Sequence, residues 1–179
     1  MTGKSIEELK AQVSARVDEL LPELSALAKD IWAHPELGYE ERYATGRIMT
    51  TLEAHGVPVE HGIAGLETAL HATIPGSQEG PRIAVLAEYD ALAGMGHACG
   101  HNLHGTLSLY AGLALGRVVE ETGGSVWVVG TPAEEADGAK IPMAEAGVFD
   151  GVDLAMMVHS HAPETWPDFR ALALHGYDF

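Results

Sequence analysis

Apolar residues recur every three or four positions in the first part of the chain, which is the period of an amphipathic helix. This pattern predicts a helix over residues 5–33, with Ser5 and Glu8 forming a capping box at its start. Pro22 lies inside the run and is expected to kink the helix or to split it in two. A second helix is predicted over residues 39–55.

From about residue 81 onward, short apolar runs alternate with segments of helical pattern. The runs at 82–87, 125–130 and 154–158 are almost wholly apolar, which is typical of buried strands. Helices are predicted between them at 103–121 and 139–147. This order indicates an α/β fold with a mixed, mostly parallel central sheet and helices on both faces.

Weaker strand patterns lie on either side of this region. Residues 57–62 and 68–74 are expected to pair as a hairpin. Residues 170–179 resemble a strand that stops in mid-pattern. Because an unpaired strand is a poor terminus, we expect the chain to end within a domain.

Composition narrows the class of function. The net charge is −16, from 26 acidic and 10 basic residues, which argues against binding to nucleic acid or an anionic membrane. The single cysteine, Cys99, excludes a disulfide within the chain. Neither a signal-peptide segment nor a run of 18 apolar residues is present in the sequence, so a cytoplasmic location is expected.

Polar residues with chemical potential follow the ends of the three buried strands. They are Glu88, Asp90, His97, Cys99, His101, His104, Glu134, Glu135, His159 and His161. Because the carboxyl ends of parallel strands meet at one edge of a sheet, these side chains are expected to lie together. Such a convergence is what a metal site requires.

The turn GHACGHN places a thiol and an imidazole two residues apart. Gly100 between Cys99 and His101 permits the tight backbone that lets both side chains reach one metal. Thiolate and imidazole together suit a metal such as zinc. The alternative is a buried free cysteine beside surface histidines, which a Cys-x-His pair on its own would favour.

Two adjacent carboxylates, Glu134 and Glu135, follow the second buried strand. Burying both needs compensation, and adjacent side chains point in different directions. One can therefore bind a metal while the other acts as a general base on water. The alternative is a helix N-terminus, where acidic residues favour the helix dipole.

Two further residues complete the predicted site. His159 is a candidate ligand after the third strand, with His161 as the second choice; alternatively, its ring bonds only to backbone. Asp90 can accept a hydrogen bond from a ligand imidazole and fix its tautomer, although an aspartate in a turn is equally common.

These strings together resemble a known family. LAEYDALAGMGHACGHNLHG, followed by TPAEE and MMVH, is similar to the aminoacylase and carboxypeptidase-type metallopeptidases (family M-twenty), and WAHPELGYEE points to their amidohydrolase branch. That branch includes hippurate, aminobenzoyl-glutamate and auxin-conjugate hydrolases. Asn102 and the string MMVHSHAP lean towards a subset that resembles β-alanyl-lysine dipeptidases.

The resemblance implies a role for each matching residue. Cys99, His101, Glu135 and His159 would bind metal, Glu134 would be the general base, and Asp90 would support the site. Two divalent ions, zinc or manganese, would share a bridging water. The implied reaction is hydrolysis of an amide bond in small N-acyl amino acids or dipeptides.

The resemblance also bears on chain length. Family members are about twice as long, so residues 1–179 would be the N-terminal part of the catalytic domain. A dimerisation or lid domain and the C-terminal part of the catalytic domain, with one more histidine ligand, would be absent. The full-length form would be a homodimer, and this chain alone is expected to have little or no activity.

Two alternatives remain open. An inactive half-domain could serve as a binding or assembly module. A zinc deaminase-like site is disfavoured because the chain has one cysteine and lacks a Pro-Cys-x-x-Cys segment.

Overall fold

The computed structural model describes residues 4–160 of the chain, so the predictions for His161 and for residues 170–179 lie outside the described part. Its helices and strands alternate as the sequence predicts. They are α1 (Ile6–Trp32), α2 (Arg42–Ala54), β1 (Val59–His61), β2 (Leu70–Pro75), β3 (Arg82–Ala87), α3 (His101–Thr122), β4 (Ser125–Gly130), α4 (Lys140–Glu145) and β5 (Leu154–Met156). Within this described part, no helix is both long and apolar enough to cross a bilayer.

The five strands form one mixed sheet in the order β1-β2-β4-β3-β5. Strand β3 runs parallel to β4 on one side and to β5 on the other. Strands β1 and β2 form the predicted hairpin, and β2 pairs antiparallel with β4. The α/β fold with a mixed sheet is therefore confirmed, and the three parallel strands bring their carboxyl ends to one edge.

Each face of the sheet carries its own apolar core. Val85 and Ala87 of β3 belong to the larger core, which α1, α2 and α3 cover. Ala84 of the same strand belongs to a smaller core on the opposite face, together with Met143 of α4. This alternation along β3 is the period-two pattern of a strand that is buried on both faces.

Helix α1 begins as predicted but is not split. The Ser5 hydroxyl accepts a hydrogen bond from the Glu8 amide, and the Glu8 carboxylate accepts one from the Ser5 amide, which completes the capping box. Pro22 lies within a single helix that continues to Trp32. Leu20 and Leu24, on either side of it, are buried in the core, and this packing offsets the hydrogen bond that proline removes.

Helix α2 begins three residues later than predicted. Tyr39 has a positive φ of 66°, which is incompatible with a helix. Glu41 is the residue before the helix, yet its carboxylate makes no capping hydrogen bond and is fully buried elsewhere. A distant demand on Glu41 therefore sets the start of α2.

Strand β5 differs from the prediction of a third buried strand. It is only three residues long and pairs with β3 alone. Leu154 and Met156 are exposed, since β5 lies at the edge of the sheet that residues 4–160 form. An apolar run in the sequence does not distinguish a central strand from an edge strand.

Helix α3 approaches the sheet closely where the chemistry is expected. A Cβ atom at Gly105 would lie 2.5 Å from the carbonyl oxygen of Glu88, so only glycine fits there. The first turn of α3 is thus pressed against the end of β3. This contact places His101 and His104 beside Glu88 and Asp90.

Candidate metal centre

Side chains from the ends of β3, β4 and β5 converge at one edge of the sheet. Potential ligand atoms of Cys99, His101 and Glu135 lie within 4.8 Å of one another. A second such group is formed by His101 with Glu88, His104 and His159, again within 4.8 Å. His101 belongs to both groups, so it lies at the centre of the arrangement.

The orientation of His101 is fixed by Asp90. Its Nδ1 lies 2.8 Å from Asp90 Oδ1 and 3.1 Å from the Asp90 carbonyl oxygen, so Nδ1 carries the proton and donates it. Nε2 is then left with a lone pair, and it is buried without a hydrogen-bond partner. It faces Glu134 Oε2 at 3.7 Å and Glu135 Oε1 at 3.9 Å. An orphaned imidazole nitrogen facing two carboxylates fits a bound divalent cation.

Cys99 lies in a strongly negative environment. Burial raises the pKa of its thiol, and the neighbouring Glu135, Glu134 and Glu88 carboxylates add to this, to about 12. The protein alone therefore keeps Cys99 protonated. A divalent cation at this position would reverse that effect, because a coordinated thiol is deprotonated. The Cys99 Sγ also lies 3.8 Å from Nε2 of His159, which brings this histidine to the same centre.

The two adjacent glutamates differ in their surroundings. Glu135 donates its backbone N–H to Asp90 Oδ2 at 2.9 Å, which ties it to the partner of His101. Burial raises the pKa of Glu134, and the charge of Glu88 raises it further, while His101 partly offsets both. A carboxyl group whose pKa is raised is a better proton acceptor once it is ionised, as a general base must be.

His104 has a tautomer that its backbone contact defines. Its Nε2 accepts a hydrogen bond from the Ser160 amide at 2.7 Å, so a neutral ring carries its proton on Nδ1. That Nδ1–H faces Glu88 Oε2 at 3.8 Å. In this arrangement His104 has no free lone pair, and it holds the segment next to His159 against α3.

Sequence reasoning noted Glu88 without giving it a role and missed Lys140 altogether. Glu88 is almost fully buried and pairs with the Lys140 ammonium, while its Oε2 lies 3.5 Å from His101 Nε2. The available signal for Glu88 was its position two residues before Asp90, which puts both on one side of the strand end. His97 of the same motif is buried but belongs to neither ligand group.

Lys140→Met is expected to destabilise the metal-free protein. Burial alone would raise the pKa of Glu88, but His104 and Lys140 outweigh it and lower the pKa to about 2. The Lys140 side chain is 30% exposed, so water replaces part of the lost pair. We therefore expect the free energy of unfolding to fall by about 2–3 kcal/mol at pH 7, less than for a fully buried pair.

The sign of the pH dependence follows from the lowered pKa. Glu88 contributes stability above the unfolded pKa near 4.5, and this contribution is lost as the pH falls towards 2. The difference between the two proteins should shrink over that range in urea titrations with a chelator present. Lys10→Met, which removes an exposed pair with Glu7, is the control and should change stability by less than about 0.5 kcal/mol. Equal stability of Lys140→Met and the unsubstituted chain at pH 7 would contradict the prediction.

Comparison with known proteins agrees with this arrangement. Residues 78–172 match the sequence model of Peptidase family M20/M25/M40. The matched segment contains β3, α3, β4 and β5, and hence every side chain of the two ligand groups.

Individual relatives show the same likeness over most of this chain. The Xaa-Arg dipeptidase of Mus musculus is 40% identical over 88% of this chain and 39% of its own length. One component of the p-aminobenzoyl-glutamate hydrolase of Escherichia coli is 36% identical, over 82% and 34%. The crystal structure of the YXEP protein of Bacillus subtilis, described as a dinuclear metal binding peptidase from the M20 family, superposes with a TM-score of 0.68 at 32% identity, over 77% and 42%. The chain thus spans less than half the length of each of these proteins.

Proposed function

Because the chain belongs to Peptidase family M20/M25/M40, we propose that it takes part in the metal-dependent hydrolysis of an amide bond in small N-acyl amino acids or dipeptides. The observation that carries the proposal is the buried, unpartnered Nε2 of His101, which faces Glu134 and Glu135. Asp90 holds the imidazole in the tautomer that a metal ligand needs.

The proposal assigns one task to each side chain. Cys99, His101, Glu135 and His159 would hold two divalent ions, zinc or manganese, and the thiol favours zinc. When bound, the ions would polarise the scissile carbonyl and acidify the attacking water. Glu134 takes the proton from that water, and its raised pKa suits this task.

The names of the relatives support the substrate class. A dipeptidase that acts on Xaa-Arg and a hydrolase of p-aminobenzoyl-glutamate are both similar to this chain. Their greater length supports the view that residues 1–179 are the N-terminal part of a catalytic domain, which acts as a homodimer in its full-length form. The net charge of −16 disfavours nucleic acid as a partner, and the free Cys99 suits the reducing cytoplasm.

The test is metal binding followed by hydrolysis. Purified, chelator-treated chain is titrated with Zn²⁺ or Mn²⁺ against a chromophoric chelator, and stoichiometric binding is expected. Hydrolysis of a panel of N-acyl amino acids and dipeptides is then measured for the chain alone and together with the remaining portion of a full-length relative. Absence of metal binding above background would overturn the site assignment. Stoichiometric metal with no turnover in either preparation would favour the alternative of a binding or assembly module.

A further inference from the structure

The segment between α1 and α2 lies against the metal centre although it supplies none of the proposed ligands. It contains the string ELGYEE at residues 36–41. The Glu36 carbonyl oxygen accepts a hydrogen bond from the amide of Ala91, the residue after Asp90, at 2.8 Å. Gly38 packs so closely on Ala133 that a Cβ atom there would lie 2.9 Å from the Ala133 Cα. This segment therefore contacts the backbone next to both Asp90 and Glu134.

Glu41 makes the most direct of these contacts. Its carboxylate is fully buried. Oε1 accepts a hydrogen bond from the Ala133 amide at 2.7 Å, and Oε2 accepts one from the Thr68 hydroxyl at 2.8 Å. Burial raises the pKa of Glu41, and its hydrogen bonds only partly offset this. A buried carboxylate held by uncharged donors is a costly choice if apolar packing alone were needed.

The residue that Glu41 holds has an unfavourable backbone conformation. Ala133 has a φ of 55°, the left-handed region, which costs a non-glycine residue about 1–2 kcal/mol. Ala133 immediately precedes Glu134 and Glu135. A left-handed residue reverses the local direction of the chain, so its conformation decides where the next two side chains point.

We propose that Glu41 is a positioning residue of the metal centre, which holds Ala133 in the left-handed conformation that directs Glu134 and Glu135 at the shared site. The proposal rests on the proposed function for the task of the two glutamates. Glu41 acts through the reach of its carboxylate to the Ala133 amide rather than through its charge.

Two conservative substitutions separate reach from charge. Glu41→Gln keeps the length and an acceptor oxygen for Ala133, while its amide group can donate to the Thr68 hydroxyl. Glu41→Asp keeps the charge but is one methylene shorter, so it cannot span both partners. Metal affinity is measured for each variant at pH 7 by competition with a chromophoric chelator, at a temperature where circular dichroism shows it to be folded. Amide hydrogen exchange of Ala133 and Glu135 is followed in parallel.

The expected order is distinctive. Glu41→Gln should bind metal as tightly as the unsubstituted chain, while Glu41→Asp should lose about 10-fold or more, as for other residues that support a ligand, with faster exchange at Ala133. Ala133→Gly in the Glu41→Asp background should restore affinity, because glycine adopts a positive φ without a clamp. Ile48→Ala, a destabilising change in the core of α2, is the stability control and should leave metal affinity unchanged.

Contrary outcomes are equally clear. Unchanged affinity in folded Glu41→Asp, or the reverse order of the two variants, would overturn the proposal. If the unsubstituted chain binds no metal, the proposed function fails, and exchange at Ala133 still decides whether Glu41 is a clamp: unaltered protection in Glu41→Asp would overturn it. If Glu41→Asp does not fold, protection of Ala133 in Glu41→Gln supports the clamp, and its loss overturns it.

Discussion

Glu134→Gln is expected to lower the rate of amide hydrolysis by about 10²- to 10⁴-fold, which is the usual contribution of a general base. Glutamine has the same size but cannot accept the proton of the attacking water. Glu134 lies 3.7 Å from His101 Nε2 and is not assigned a ligand role, so metal affinity should be unchanged. Rates are compared in whichever preparation of the chain turns over, alone or with the remaining portion of a relative.

Two variants give this prediction its contrast. Glu145→Gln, on the exposed side of α4, removes the same charge and should leave the rate unchanged. Glu135→Gln should lower metal affinity as well as the rate, because Glu135 is the proposed ligand. If Glu134→Gln loses metal while Glu135→Gln keeps it, the two glutamates have the opposite roles.

Asp90→Asn is expected to lower metal affinity by about 10- to 100-fold, the range for residues that orient a ligand histidine. Both oxygens of Asp90 accept hydrogen bonds, Oδ1 from His101 and Oδ2 from the Glu135 amide. An asparagine presents an amide donor to one of these two donors. Either His101 takes the tautomer with its proton on Nε2, or the Glu135 amide loses its acceptor. Both results disturb a proposed ligand without removing it.

The measurement is competition for Zn²⁺ with a chromophoric chelator at pH 7. Asp137→Asn removes the same charge from an exposed position nearby and should leave the affinity unchanged. A Cys99→Ala, His101→Ala double variant marks the signal of a destroyed site. If Asp90→Asn binds Zn²⁺ as tightly as Asp137→Asn does, the hydrogen bond to His101 has no role in binding.

The strands of the central sheet were predictable because their signal is local. Both 82–87 and 125–130 agree with the observed strands to the residue, since continuous apolar runs follow Pro81 and the Gly123–Gly124 pair. The start of α2 was not predictable, because Glu41 bonds to Ala133, which is 92 positions away in the chain. The exposure of β5 was also hidden, because it depends on the strand order.

The candidate site shows the same division. Residue type and position after a strand were enough to select Cys99, His101 and Glu135, which the structure brings within 4.8 Å of one another. The contact between Asp90 and His101 was also anticipated, since both lie in one motif. The pairing of Lys140 with Glu88 depends on how α4 packs on the sheet, and no sequence pattern of either residue indicates it.

The shortness of β5 has a consequence for how the site responds to its ion. Three residues paired on one side provide few backbone hydrogen bonds, so this strand belongs to the least protected part of the sheet. His159 follows it directly, whereas His101 is anchored in the interior. An ion that bridges the two histidines would transfer part of its binding free energy to the strand, acting as a rivet at the sheet margin.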